Sequence, residues 1–418
     1  MELKPGYLCP PGYKQTEVGL IPEEWKQKRL CELGRVVRGG SPRPAGDPRY
    51  FDGQFIPWLT VAALTNIPEH QLRVTDTAGF LTEEGAKHSR TLQRGTLIIA
   101  NSGATLGIAK VLNVTCCAND GIAAIVKQTA GDKEFVCYYI NSRTKHLREV
   151  VATGNGQPNL NTTLIREMPI PFPPPAEQRA IAGVLSDVDA LIGGLDQLIA
   201  KKRDLKQATV QQLLTGQTRL PGFHGKWEVK RLGDVAALNR LNVTPASLPT
   251  QMFVHFSLPA FDVGKVPVTE PGSAIGSNKF RVPQGAVLVS KLNPRIPRIW
   301  APDDIPLEAI ASTEFLVLTP REGTSRRFLF VLCSSPLFCE QMELAATGTT
   351  GSHQRISPGG ALSLKVPVPV DVEEQTAIAE VLSDMDAELE ALEQRRDKTR
   401  ALKQGMMQEL LTGRTRLV

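Results

Sequence analysis

The chain has 418 residues, of which 41% are hydrophobic, and carries a formal net charge of +5 with a pI of about 8.8. This length can bury two sizeable cores, and the mild positive charge permits nucleic-acid binding without requiring it. No stretch approaches the ~18 apolar residues of a membrane span, the first residues do not resemble a signal peptide, and the seven cysteines contain no CxxC pair. We therefore expect a cytoplasmic protein with reduced thiols, without a disulfide framework, a zinc site or a membrane segment.

Two regions of the chain share an irregular composition. Residues of about 30–170 and about 230–370 hold most of the 35 glycines and 31 prolines, with short β-branched runs such as those at 96–99 and 287–289. Each region predicts a mixed α/β globule. The two regions share landmarks in the same order, although the sequences between them differ widely. These landmarks are Trp25 and Trp227, residues 152–154 and 346–348, and residues 169–171 and 367–369.

A long segment after the first globule recurs after the second. Residues 177–220 align without a gap onto residues 374–417, with 26 of 44 positions identical and an offset of 197 residues. Apolar residues in each copy alternate at spacings of four and three, which predicts a helix packed against another helix. About 38 helical residues give a rod of about 55 Å. Periodicity alone also fits a coiled coil that only dimerises, but the large globule beside each helix favours a spacer.

These features together resemble the specificity subunit of type I restriction-modification systems. The order of globule, helix, globule and helix matches that family, as do the Pro-x-Pro segment before each Glu-Gln and the Leu-Leu-Thr-Gly that ends each helix. Further phrases resemble landmarks of two classes of target-recognition domain. They lie at 39–42, 56–58, 102–107 and 156–160 in the first globule and at 291–298 and 351–355 in the second. The resemblance covers nearly the whole chain except residues 1–12, and the second globule lacks a Gly-Gly-Ser-Pro equivalent.

The resemblance implies a division of labour among several chains. Two methyltransferase subunits, which carry S-adenosylmethionine, would dock on this chain, and two motor-nuclease subunits that use ATP and Mg²⁺ would join them for restriction. This chain would hold no cofactor or metal, would contact no membrane and would bind double-stranded DNA. It would be a specificity subunit in which each globule reads one half of a bipartite asymmetric site and the rods set the unread gap. The recognition subunit of a type IIB restriction-modification enzyme is the alternative.

Catalytic motifs are missing from the sequence, which predicts a subunit that is not itself an enzyme. An amino-methyltransferase needs an Asn/Asp-Pro-Pro-aromatic tetrapeptide, and the nearest match, at 293–295, lacks the second proline and the aromatic residue. No Gly-Lys pair continues into the Ser or Thr of a phosphate-binding loop. A methyltransferase or nuclease would bind its own cofactor as an isolated chain, which distinguishes that class. A purely helical adaptor would show no sequence-selective DNA binding.

Side chains suited to DNA readout occur in both globules. Arginine reads guanine edges and Asn or Gln reads adenine, whereas Lys, Ser and backbone amides hold phosphates. Pro294 and Pro297 stiffen one basic segment and lower the entropy lost on docking. We expect Arg295 and Arg298 of this segment to read guanine. Solvated loops and ordinary turns are the plain alternatives. The candidates are Arg38, Gly39, Gly40, Ser41, Arg43, Asn101, Ser102, Gln157 and Asn159 in the first globule, and Lys291, Asn293, Arg295, Arg298, Ser352, His353, Gln354 and Arg355 in the second.

The predicted fold class is mixed α/β. Two α/β target-recognition domains are expected to be separated by two long antiparallel coiled-coil helices, in a tandem repeat with pseudo-twofold symmetry. The predicted domains are residues 1–176 for the N-terminal segment and first recognition domain, 177–216 for the first conserved spacer helix, 217–373 for a linker and the second recognition domain, and 374–418 for the second conserved spacer helix.

Overall fold

A computed structural model describes residues 9–103, 105–152, 159–348 and 354–417. The chain packs as two compact units that do not simply follow one another along the sequence. The first unit combines residues 1–198 with residues 393–418, and the second comprises residues 199–392. Each unit therefore contains one globule and one half of each long helix.

The strands and helices of the first globule are short, as its many glycines and prolines require. The strands are β1 (Tyr13–Thr16), β2 (Gly19–Pro22), β3 (Lys26–Arg29), β4 (Arg35–Arg38), β5 (Ile56–Leu59), β6 (Arg73–Val74), β7 (Gly79–Leu81), β8 (Arg90–Leu92), β9 (Leu97–Ala100), β10 (Ala109–Leu112), β11 (Cys116–Ala118), β12 (Ile122–Val126) and β13 (Pro169–Phe172). The helices are α1 (Leu30–Leu33), α2 (Pro48–Phe51), α3 (Val61–Thr65), α4 (Glu83–Lys87), α5 (Lys133–Ser142), α6 (Thr144–His146) and α7 (Thr162–Arg166), with a π-helical turn at Leu147–Val151.

Two sheets stack in the first globule. One has the strand order β4-β12-β9-β10-β6, and the other has the order β7-β5-β11-β8. Strand β9 is buried along its whole length because both of its faces are covered. Leu97 and Ile99 face a core shared with α5 and the long helix, whereas Ile98 and Ala100 face the second sheet. The antiparallel pair β3 and β13 lies at the start of the long helix.

The second globule repeats this plan with different lengths. Its strands are β14 (Trp227–Arg231), β15 (Ala236–Asn239), β16 (Asn242–Val243), β17 (Met252–Phe256), β18 (Val268–Pro271), β19 (Lys279–Arg281), β20 (Val287–Ser290), β21 (Ile299–Trp300), β22 (Ala309–Ser312), β23 (Phe315–Pro320) and β24 (Lys365–Pro369). Its helices are α9 (Leu232–Val235), α10 (Leu258–Asp262), α11 (Arg326–Ser334), α12 (Pro336–Leu344) and α13 (Pro358–Leu362), with 3-10 turns at Pro245–Ser247 and Gly272–Ala274.

Two stacked sheets and a strand pair recur in the second globule. The sheets have the orders β15-β23-β20-β21 and β16-β19-β22-β17-β18, and β14 pairs with β24. Central strand β20 is again fully buried, with Val287 and Val289 toward the helices and Leu288 toward the other sheet. The same architecture from diverged sequences confirms the mixed α/β tandem repeat.

The two long helices are α8, Pro175–Leu214, with 40 residues, and α14, Val372–Leu410, with 39. Their halves pack antiparallel in each unit. In the first unit, Lys403 pairs with Asp189 at 2.6 Å and Arg400 with Asp196 at 2.9 Å. In the second unit, Lys202 contacts Glu388 at 2.7 Å and Lys206 contacts Asp386. Gly216 and Gly413, which follow the two helices, both have φ of +71°, where glycine is favoured.

Equivalent buried ion pairs join each globule to the ends of the long helices. In the first unit, Glu177 at the start of α8 accepts hydrogen bonds from Trp25 Nε1 at 2.9 Å and Arg416 Nη2 at 2.8 Å. In the second unit, Glu374 at the start of α14 accepts from Trp227 Nε1 at 3.2 Å and Arg219 Nη2 at 2.7 Å. We call each set of three residues a Trp-Glu-Arg junction. The first junction ties together three segments that are far apart in sequence, and the second ties the start of α14 to a segment that lies 147–155 positions earlier.

The glutamine after each junction glutamate holds a helix start in the globule. Gln178 accepts a hydrogen bond from Asp132 N at 2.7 Å, directly before α5. Gln375 accepts from Ser325 N at 2.8 Å, directly before α11. The repeated Glu-Gln dipeptide therefore fixes the globule to the rod through both of its side chains.

Candidate nucleic-acid interface

Two loops that are distant in sequence meet beside the end of β9 in the first globule. Ser102 forms an antiparallel bridge with Asn159, and Leu160 N donates to Asn101 O at 2.9 Å. Asn101 is almost completely buried, with its Nδ2 donating to Asp120 O at 3.2 Å. Three of the predicted polar residues are thus brought together at one edge of the sheet.

Asp120 connects another predicted segment, residues 38–43, to the same edge of the sheet. Ser41 Oγ donates to its Oδ1 at 2.8 Å, and Arg43 Nη2 lies 3.5 Å from its Oδ2. Arg38 Nε donates to its backbone oxygen at 2.5 Å. The arrangement follows from strand pairing, because β4 and β12 are antiparallel neighbours, and the chain leaves β4 at the same end at which it enters β12. The first site is defined here as residues 38–43, 101–102, 119–121 and 159.

Gly39 packs so closely in the first site that no side chain fits. Its amide donates to Ile122 O at 2.8 Å, and a Cβ at this position would lie 2.1 Å from Asn119 O. The next residue is different, since a Cβ on Gly40 would have its nearest neighbour, Arg90 N, at 3.8 Å. The sequence expectation that these glycines approach phosphate is untested, but Gly39 has a packing role of its own.

These two glycines provide a matched pair of variants. We expect Gly39→Ala to lower the free energy of unfolding by about 1–3 kcal/mol, because backbone atoms must move to admit the methyl group. Gly40→Ala should change it by less than about 0.5 kcal/mol. Urea unfolding of both purified variants measures the difference. Equal stabilities of the two variants would contradict the packing described for Gly39.

The second globule builds the equivalent edge from different residues. Leu292 bridges to Arg355, and Ile356 N donates to Lys291 O at 3.1 Å, which repeats the pairing beside β9. Asn293 N donates to Gln354 O at 2.8 Å, and its φ of +49° lies in the left-handed region that asparagine tolerates. The second site is defined here as residues 291–298, 314 and 354–355.

The predicted arginines of the second site occupy two different environments. Arg295 is exposed, and no ion-pair partner for it occurs within the described parts of the chain. Arg298 is only 14% exposed and donates to Asp262 Oδ1 at 2.7 Å and Oδ2 at 2.9 Å. The hydrogen bond from Arg298 lowers the pKa of the Asp262 carboxyl. Arg298 is therefore both paired and largely shielded, whereas Arg295 is accessible.

Arg355 also has a carboxylate partner. Its Nε and Nη2 lie 3.2 and 3.4 Å from Glu314 Oε2 and Oε1. Glu314 occupies the turn before β23, and its backbone oxygen accepts from Lys291 N at 2.9 Å. Of the remaining candidates, Gln157, Ser352 and His353 lie outside the described residues.

The sequence interpretation missed Asp120, Glu314, Asp262 and Arg90. Arg90 Nε donates to Arg38 O at 2.6 Å, which places a third arginine beside the first site. A local signal existed for Asp120 and Glu314, since each lies in a turn that comes directly before a buried apolar strand. Asp262 gave no comparable signal. The described residues contain no group of three His, Cys, Asp or Glu that could hold a metal ion, and no helix among them is long and apolar enough to cross a membrane.

Comparison with solved structures supports the fold. A type I restriction-modification S subunit from M. genitalium matches with a TM-score of 0.58 at 13% identity, covering 93% of this chain and 96% of that one. A chain from a study of complex assembly and conformational transition of the type I restriction-modification system matches with a TM-score of 0.55 at 16% identity, covering 94% and 99%. At these identities the likeness shows the fold alone.

Sequence comparison points to the same family. The MjaIX specificity subunit of Methanocaldococcus jannaschii is 26% identical over 64% of this chain and 63% of its own length. The MjaVIII specificity subunit of the same organism is 22% identical over 97% of this chain and 96% of its own. The family model for the type I restriction modification DNA specificity domain matches twice, at residues 22–201 and 224–399, which together exceed half of the chain. The chain therefore belongs to the type I restriction-modification DNA specificity family.

Proposed function

We propose that this chain gives a restriction-modification complex its DNA sequence specificity by reading the two halves of a bipartite, asymmetric site. The observation that carries the proposal is the repetition of one loop arrangement with different side chains. Asn101 and Ser102 follow β9 in the first globule, and Lys291 and Leu292 follow β20 in the second. A shared scaffold with different edge groups suits the reading of two different base sequences.

The chemistry is assigned to partner chains that act in the cytoplasm. Two methyltransferase subunits with S-adenosylmethionine would modify the site, and two motor-nuclease subunits with ATP and Mg²⁺ would cut unmodified DNA. This chain would bind no cofactor and catalyse no step. Its similarity to specificity subunits supports this division, and so does the lack of methyltransferase and phosphate-binding motifs in its sequence.

Methylation with and without this chain tests the proposal. A methyltransferase subunit of the same restriction-modification system is incubated with random-sequence DNA, alone and together with this chain, and modified positions are sequenced. We expect one defined motif when the chain is present and no sequence-selective methylation when it is absent. The same motif in both reactions would show that specificity resides elsewhere.

Arg295 is the residue for which base reading is most directly testable. If it donates to a guanine edge, Arg295→Ala should cost about 1–3 kcal/mol on the cognate duplex and relax the requirement at one position of one half-site. Lys291→Ala should instead weaken all sequences alike and lower the slope of salt dependence by about one unit. Titration of the reconstituted complex with matched and singly mismatched duplexes separates the two patterns. Unchanged affinity and discrimination in Arg295→Ala would leave this loop a structural role only.

A further inference from the structure

In both candidate sites a carboxylate pairs with an arginine beside the loop that follows the central strand. Asp120 Oδ2 lies 3.5 Å from Arg43 Nη2 in the first site, and Glu314 contacts both Nε and Nη2 of Arg355 in the second. Each acid lies in the turn before the strand that neighbours the central one, β12 or β23. The turn is also fixed to the loop that follows the central strand, since Asn101 N donates to Gly121 O and Lys291 N to Glu314 O, both at 2.9 Å.

These pairs differ from the buried junction pairs because they remain accessible. The side chains of Arg43 and Asp120 are 71% and 41% exposed, and those of Arg355 and Glu314 are 46% and 26% exposed. Exposed pairs contribute little to stability, typically 0–1 kcal/mol. Their recurrence in the same turn of two diverged globules therefore needs an explanation other than stability.

A carboxylate at such a position acts differently on the two modes of DNA binding. DNA phosphates are present at every sequence, and a carboxylate both repels them and competes for the same guanidinium donors. An arginine that exchanges its carboxylate partner for a phosphate therefore gains little binding free energy. A guanidinium has five N–H donors, so one that stays paired can still present the others to a base edge in a fixed orientation.

We propose that Asp120 and Glu314 are specificity-determining residues, which restrain Arg43 and Arg355 and weaken binding to non-cognate DNA more than binding to the cognate site. This inference rests on the proposed function, because it requires that the two edges face DNA. It uses repulsion and competition against wrong sequences in addition to attraction toward the right one.

The test compares Asp120→Asn and Glu314→Gln in the complex reconstituted with methyltransferase subunits. Each variant keeps a side-chain acceptor for the neighbouring arginine but removes the charge. Affinity is titrated on a duplex carrying the methylation-mapped site and on a duplex without it. We expect each variant to bind the non-cognate duplex about threefold to tenfold more tightly, with less than about a twofold change on the cognate one.

Two controls separate this role from a general effect of charge. Glu17→Gln in the first unit and Glu380→Gln in the second remove the same charge from exposed pairs, with Arg29 and Arg327, that lie outside the sites. They should leave discrimination unchanged. In an Arg355→Ala background, Glu314→Gln should raise non-cognate affinity less than it does in the parent, since only the direct repulsion of phosphate is left to remove.

Three results would overturn the inference. One is equal tightening on both duplexes, which indicates only lost repulsion. Another is weaker cognate binding with unchanged non-cognate binding, which indicates a carboxylate that reads a base. The third is no effect on either duplex. If the parent complex itself fails to distinguish the duplexes, the proposed function fails instead, independently of these variants.

Discussion

Arg219→Ala should destabilise the second unit by about 3–5 kcal/mol, because it leaves the Glu374 charge buried without its ionic partner. Glu374 has no exposed surface, and Trp227 Nε1 would be its remaining donor among the described side-chain contacts of this junction. Arg416→Ala should have a similar effect in the first unit, where Glu177 is 2% exposed. Urea unfolding followed by tryptophan fluorescence measures both losses.

Arg414→Ala is the matched control for the junction variants. Arg414 belongs to the same C-terminal segment as Arg416, but it pairs with Glu409 at 3.6 Å in an exposed position. Its removal should cost less than about 1 kcal/mol. Combining Arg219→Ala with Glu374→Gln should recover part of the loss, since the buried charge is removed together with its partner. Equal costs for Arg219→Ala and Arg414→Ala would mean that the junction does not stabilise its own unit.

The long helices could be predicted because their apolar periodicity is a local pattern and occurs in both copies of the duplicated segment. An apolar period of three and four fixes a helical face, and the duplicated segment repeats that face. The charged residues of the junctions could have been noticed by aligning the two copies, since Glu177 aligns with Glu374 and Arg219 aligns with Arg416. What periodicity could not supply is the partner of each charge. Arg416 reaches a glutamate 239 positions earlier, and only the folded chain brings them together.

The loops of the candidate sites could be predicted from the sequence, but the hydrogen bonds and ion pairs between them could not. Glycines, polar residues and prolines marked residues 38–43 and 291–298 because their conformational requirements are local. The pairing of Arg298 with Asp262 joins residues 36 positions apart, because helix α10, which ends at Asp262, packs against Trp300 of β21. No pattern in the local sequence indicates this pairing. For the same reason, Asp120 appears as a turn residue in sequence and as the centre of a site in the structure.

Exchange of one globule should change one half of the recognised motif and leave the other half intact. Residues 30–170 hold the described first site, whereas Trp25, Glu177 and Arg416 of the junction lie outside this segment. A donor from a relative with a different target should keep tyrosine at position 138, since Tyr138 donates to Asp189 of α8 at 2.7 Å. The complementary exchange of residues 230–370 retains Trp227, Glu374 and Arg219. It should change only the opposite half.

Sequencing of methylated positions in cells that carry the parent chain, each single exchange or both is the most direct test of two independent readers. We expect a parent motif of two specified halves separated by unspecified bases. Each exchange should replace one half, and the double exchange should replace both. A continuous parent motif, or a single exchange that alters both halves, would show that the two globules do not read DNA independently.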